Sequence, residues 1–142
     1  MEFDITKFTG RWYELAHIPT DFESDMTRVT ADYSILENGD IEVINTGFVN
    51  GEQRTITGVA KLTEDKYTLK LSFPYSTEEF DYKIIALSKD YEYAIVGSGD
   101  KNKLWILSRK PYTTPLEYAG FLNVAIKNGY DISKMRITKH HN

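Results

Sequence analysis

The sequence predicts an all-β fold: an eight-stranded antiparallel up-and-down β-barrel with one C-terminal α-helix packed on its outside. Three observations carry this. Apolar and polar residues alternate with period two from Trp12 to Lys110, with turn residues interrupting about every eight to twelve positions. Aromatic residues make up 13 % of the chain, a content that suits pleated, half-buried surfaces. One stretch near the C-terminus switches to helical spacing. With 142 residues there is enough chain for one core and too little for two, so residues 1–142 are expected to form a single domain.

Asp4-Ile5-Thr6-Lys7-Phe8 reads as a capped helical turn able to plug one barrel end. Strands are expected near 10–18, 28–36, 41–49, 53–63, 66–73, 80–88, 92–98 and 103–110. Asn38-Gly39 suits a primed two-residue hairpin turn, and Asn50-Gly51, Glu64-Asp65 and Gly99-Asp100 mark further turns. Connections this short make neighbouring strands antiparallel, and closing the sheet removes its exposed edges. Thr114-Pro115-Leu116-Glu117 is a capping box with Pro at the first helical position. Tyr118, Phe121, Leu122, Ala125 and Ile126 then form one apolar stripe, and Asn128-Gly129 stops the helix. The stripe needs a large surface, which the outer barrel wall supplies. A last short strand is expected from Met135 to Lys139.

Composition removes several functions. The chain has no cysteine, so disulfides, thiolate metal sites and thiol catalysis are excluded. Its net charge is −4, with Lys and Arg spread along the chain, which leaves no basic footprint for nucleic acid. No apolar run reaches the length of about 18 residues that spans a bilayer. Met1-Glu2-Phe3-Asp4 does not begin a signal peptide. No Ser/His/Asp order, HExxH or phosphate-binding Gly loop occurs, so no catalytic residue is assigned. Of His17, His140 and His141, the last two belong to the tail, and a lone His17 reads as structural because metal sites need several ligands. No metal or cofactor is expected.

Three segments carry a family resemblance. Gly10-Arg11-Trp12 combines a residue that permits an unusual backbone with a large ring that wants burial and one hydrogen-bond partner. Lys89-Asp90-Tyr91 and Trp105-Ile106-Leu107-Ser108-Arg109 follow much later. With the late helix, these segments resemble the lipocalin (calycin) family, in its compact bacterial branch of outer-membrane lipoproteins of the Blc type. Lys89 stands where that family has Thr. The late helix also separates the chain from ten-stranded fatty-acid-binding barrels, whose two helices come early.

The resemblance covers essentially the whole chain. It implies that Gly10, Trp12, Asp90, Tyr91 and Arg109 gather at the closed barrel end. Arg109 would lie across the Trp12 ring, a cation–π contact of about 0.5–2 kcal/mol. It also implies an inward set of residues. In β-strand order these are Trp12, Glu14 and Ala16; Ala31, Tyr33 and Ile35; Val43 and Asn45; Ile56, Gly58, Ala60 and Leu62. The second half of the barrel adds Tyr67, Leu69, Leu71 and Phe73; Tyr82, Ile84 and Ala86; Ala94 and Val96; Trp105 and Leu107. Ala31, Gly58, Ala60, Ala86 and Ala94 are too small to fill a barrel axis, which predicts a cavity. Glu14 stands out, because a carboxylate inside a barrel must be paired or hydrogen-bonded.

The open end is expected at loops 19–27, 50–52, 74–79 and 97–102. Phe22, Met26, Phe48, Phe73 and Tyr75 would make an apolar rim there, and Arg28, Arg54 and Lys103 would meet an acidic head group. The implied function is non-catalytic binding and transport of a fatty acid or lysophospholipid, serving membrane lipid storage, transport or maintenance. The alternative is an isomerase or hydrolase acting on a bound lipid, which would need a perturbed acid–base group such as Glu14. A periplasmic, outer-membrane-associated location is expected if a signal peptide and lipid anchor were removed upstream, and a cytoplasmic one otherwise. Monomer and dimer both stay open.

Overall fold

The computed structural model describes residues 4–18, 26–65, 67–73 and 79–140. The expected strands form in the expected order. The first half comprises β1 (Gly10–His17), β2 (Thr27–Ile35), β3 (Ile41–Val49) and β4 (Glu52–Leu62). The second comprises β5 (Thr68–Ser72), β6 (Glu79–Leu87), β7 (Tyr93–Ser98) and β8 (Leu104–Ser108). Each strand pairs antiparallel with the next, and β1 pairs with both β2 and β8, which closes the barrel. A two-residue β9 (Arg136–Ile137) lies beside β1 at Ala16 and His17, past the stretch that pairs with β2.

The primed hairpin turn forms at Asn50-Gly51 rather than at Asn38-Gly39. Asn50 and Gly51 both have positive φ, 52° and 83°, between the paired residues Val49 and Glu52. Around Asn38 the connection is longer, because Ile35 already pairs with Ile41. There the Asn38 side chain caps Asp40 N at 3.0 Å instead.

Apolar residues separate into two clusters on either side of the barrel wall. The inner one contains Trp12, Ala31, Tyr33, Val43, Leu71, Tyr82 and others, plugged by Phe8 from α1 (Ile5–Phe8). The outer one lies on β1, β6, β7 and β8 under α2 (Pro115–Lys127) and includes Leu15, Ile95, Leu104, Ile106 and Ala125. Ala16 and Ala86, expected inward, both pack in the outer cluster. The reason is a register shift between Glu14 and Ala16 and another between Ile84 and Ala86. One extra residue in a strand reverses the face of everything after it. The first bulge also has a partner, since Leu15 O accepts from Thr138 N at 2.9 Å.

Three further residues of the inward set fall at strand ends rather than inside. Ile35 is 45 % exposed, Leu62 48 % and Tyr67 39 %. On α2 the stripe Tyr118, Phe121, Leu122 and Ala125 packs as expected, but Ile126 is 51 % exposed and Val124 joins the cluster in its place. The 3₁₀ turn Ile132–Lys134 that follows the helix contributes Ile132 to that cluster, which also includes Tyr130 and Met135.

The predicted capping box is present: Thr114 Oγ1 accepts from Glu117 N at 3.1 Å, and Glu117 Oε1 accepts from Thr114 N at 3.2 Å. Thr114→Ala should therefore cost about 1 kcal/mol, read as a fall in melting temperature of about 3 °C. An unchanged melting curve would show that the tertiary contacts of α2 fix its first turn without the cap.

Candidate ligand-binding cavity

The closed end sets the floor of the cavity. Trp12 is fully buried and its Nε1 donates to Phe8 O at 2.8 Å. The Arg109 guanidinium lies 3.8 Å from the Trp12 ring centroid. Its three nitrogens donate to Tyr91 O (3.1 Å), Arg11 O (2.9 Å) and Lys7 O (2.8 Å). Tyr91 sits at φ 59°, and its hydroxyl accepts from Asp4 N at 2.8 Å. Asp90 accepts from Ser88 Oγ at 2.9 Å and Glu92 N at 3.2 Å, bonds that hold its carboxyl below the usual range. Gly10, at φ 99°, lets the chain enter β1 beside Arg109 Nη1. One network thus ties the N-terminal segment to the loops after β6 and β8.

Above this plug Tyr33 rests on Phe8, with ring centroids 5.0 Å apart. Its hydroxyl bonds that of Tyr82, which stacks on Trp105 at 6.2 Å and 27°. The cavity over this floor has a volume of about 600 Å³, within the span of roughly 300–1,000 Å³ common for small-molecule sites. Among the predicted residues Ala31, Tyr33, Val43, Asn45 and Ile56 border it from β2 to β4. Leu71, Phe73, Tyr82 and Trp105 border it from the other wall.

Other expected cavity residues lie elsewhere. Ala60, Leu69, Ile84 and Val96 belong to the packed part of the inner cluster and do not border the cavity. Gly58 leaves no vacancy: a Cβ there would stand 2.8 Å from the Phe73 ring, which fills the space. Ile35 is at an exposed strand end, and Ala86 faces the helix. Of the five small residues expected to create the cavity, only Ala31 borders it.

Around the mouth, Phe22 and Tyr75 lie outside the described residues. Met26 is buried against Gly47 rather than on the rim. Arg28 is over Phe48, its guanidinium carbon 3.9 Å from the ring centroid, and does not border the cavity. Arg54 is exposed beside Glu52, 3.4 Å away, and does not border the cavity. Lys103 does border it, with Nζ 4.8 Å from the Phe80 ring centroid. Asp81 is on the same rim and is ion-paired with Lys70.

Val29, Thr30, Phe80, Asp81 and Ser98 also border the cavity and are absent from the predicted set. Phe80 and Ser98 keep the parity of Tyr82 and Val96, so extending the alternation by one step would have found them. Val29 lies within a register shift between Thr27 and Thr30, where Arg28 takes φ 51°, and Thr30 ends it. Three consecutive residues of β2 reach the cavity there, which no alternation predicts.

Glu14 is buried, 2 % exposed, and borders the cavity. Thr138 Oγ1 donates to its Oε2 at 2.7 Å. His17 Nδ1 stands 3.2 Å from the same oxygen and 3.1 Å from Thr138 Oγ1. With the Thr138 proton given to Glu14, Thr138 Oγ1 accepts from His17 Nδ1. His140 Nε2 donates to the Glu14 carbonyl. The carboxylate thereby holds the C-terminal segment against β1, the paired arrangement that burial demands.

Comparison with known proteins agrees with this architecture. The family model described as a lipocalin-like domain matches residues 3–140. The outer membrane lipoprotein Blc of Citrobacter freundii is 35 % identical over 137 residues, covering 94 % of this chain and 77 % of that protein. Mouse apolipoprotein D is 34 % identical over 149 residues, covering 99 % of this chain and 78 % of its own. Insecticyanin from the tobacco hornworm Manduca sexta has the same fold, with a TM-score of 0.75 at 22 % identity, covering 99 % and 82 % of the two chains.

Proposed function

Because the chain belongs to the lipocalin family, whose members generally bind small hydrophobic ligands, we propose that it holds a fatty acid or a lysophospholipid in its barrel and serves membrane lipid storage, transport or maintenance. The observation that carries this reading is the cavity of about 600 Å³, walled by Val43, Ile56, Leu71, Phe73 and Trp105 and edged by Lys103. Each methylene buried there contributes roughly 0.8 kcal/mol, so an acyl chain is held without specific contacts. Lys103 gives an acidic head group a cation at the edge. Likeness to relatives named outer membrane lipoprotein supports a periplasmic, outer-membrane-associated site of action.

A binding role also suits Glu14, whose Oε2 is engaged by Thr138 and His17 in anchoring the C-terminal segment. Lipocalin relatives are mostly binding proteins. Titration with hexadecanoate and with a lysophospholipid, followed by native mass spectrometry and by tryptophan fluorescence, tests the proposal. Trp105 borders the cavity and should report occupancy. One ligand per barrel with Kd below about 10 μM is expected. Failure of every acyl ligand to bind below about 100 μM, roughly −5.5 kcal/mol, overturns it.

A further inference from the structure

Tyr33 on β2 and Tyr82 on β6 reach across the cavity floor until their hydroxyls hydrogen-bond. Both are buried and both border the cavity. A hydroxyl has one proton to give and two lone pairs to offer. The pair has two protons and makes one bond, so one O–H and several lone pairs find no match among the described residues. Burial pushes both phenols well above their ordinary range, so both keep their protons at physiological pH. Their rings are fixed by packing, Tyr33 on Phe8 and Tyr82 on Trp105. Asn45, which pairs with Ala31 across β2 and β3, borders the same cavity with a side-chain amide that makes no hydrogen bond among the described residues.

A plain acyl chain brings only a methyl group to this floor and leaves the spare O–H unmatched. A buried polar group in that condition is expensive, and a ligand oxygen would relieve it. We propose that the Tyr33–Tyr82 pair is a hydrogen-bonding subsite for an oxygen at the buried end of the ligand. The barrel then prefers single chains that carry a hydroxyl or carbonyl near their far end over plain chains of equal length. This rests on the acyl-binding reading above and specifies its ligand class.

The test compares hexadecanoate with 16-hydroxyhexadecanoate, and the corresponding 12- and 14-carbon pairs, on the same protein. At the length that reaches the floor, the ω-hydroxy acid should bind about two- to tenfold more tightly, the equivalent of one neutral hydrogen bond. The double variant Tyr33→Phe/Tyr82→Phe should close that gap, whereas Tyr33→Phe and Tyr82→Phe alone should each keep it, because one unmatched hydroxyl stays at the floor. Equal affinity of both members at every length overturns the subsite and leaves the acyl-binding proposal standing. A gap that persists in the folded double variant also overturns it, because the selectivity then arises elsewhere. Binding of neither series overturns the acyl-binding proposal and the subsite with it.

Discussion

Trp12→Ala is expected to remove about 3–5 kcal/mol of stability, seen as a fall in melting temperature of about 10 °C and an earlier urea midpoint. Trp12 has no exposed surface, touches Phe8 edge-on at 5.1 Å, and gives its N–H to Phe8 O. Alanine would leave a void under α1, an unmatched carbonyl, and a guanidinium with no ring beneath it. Arg109→Ala should cost less, because Arg109 is only partly buried and water replaces part of what its carbonyl contacts supply. Arg109→Lys should recover little, since one ammonium cannot span the Lys7, Arg11 and Tyr91 carbonyls that the guanidinium joins. An unchanged midpoint for Trp12→Ala would show that the barrel end is closed without its ring.

Ala31→Phe is expected to weaken acyl binding at least tenfold while leaving the fold nearly as stable as before. Ala31 borders the cavity, so the added ring enters space that already exists and blocks the ligand from it. Ala60→Phe makes the opposite case. Ala60 is buried in the packed inner cluster and away from the cavity, so a ring there overpacks the core and costs about 1–3 kcal/mol. Melting and titration of the two variants read both effects. If Ala31→Phe melts as early as Ala60→Phe, the space beside Ala31 is not available to a ligand.

The candidate site was legible in part, and the division follows a physical line. Tyr33, Val43, Leu71 and Trp105 reach the cavity because strand alternation holds without interruption along their stretches. Ala86 fails because of a single bulge. Val29 and Thr30 fail because of a left-handed residue, Arg28, that nothing in composition announces. Small residues do not mark the open volume. Gly58 makes room for Phe73, Ala60 and Ala94 are packed over, and the open volume lies among large side chains that stop short of one another.

What the sequence by itself determined are the strands, the capped helix and the signature residues of the closed end, because period-two alternation, capping and turn chemistry act over a few residues. Tertiary structure alone decided the depth and walls of the cavity, the pairing of Tyr33 with Tyr82, and the bonds from Glu14 to Thr138 and His17. Glu14 and Thr138 are 124 positions apart, and no local pattern links them. A cavity is the difference between the space a closed barrel encloses and the volume its inward side chains fill. That difference is set jointly by opposite walls, and no one strand carries it.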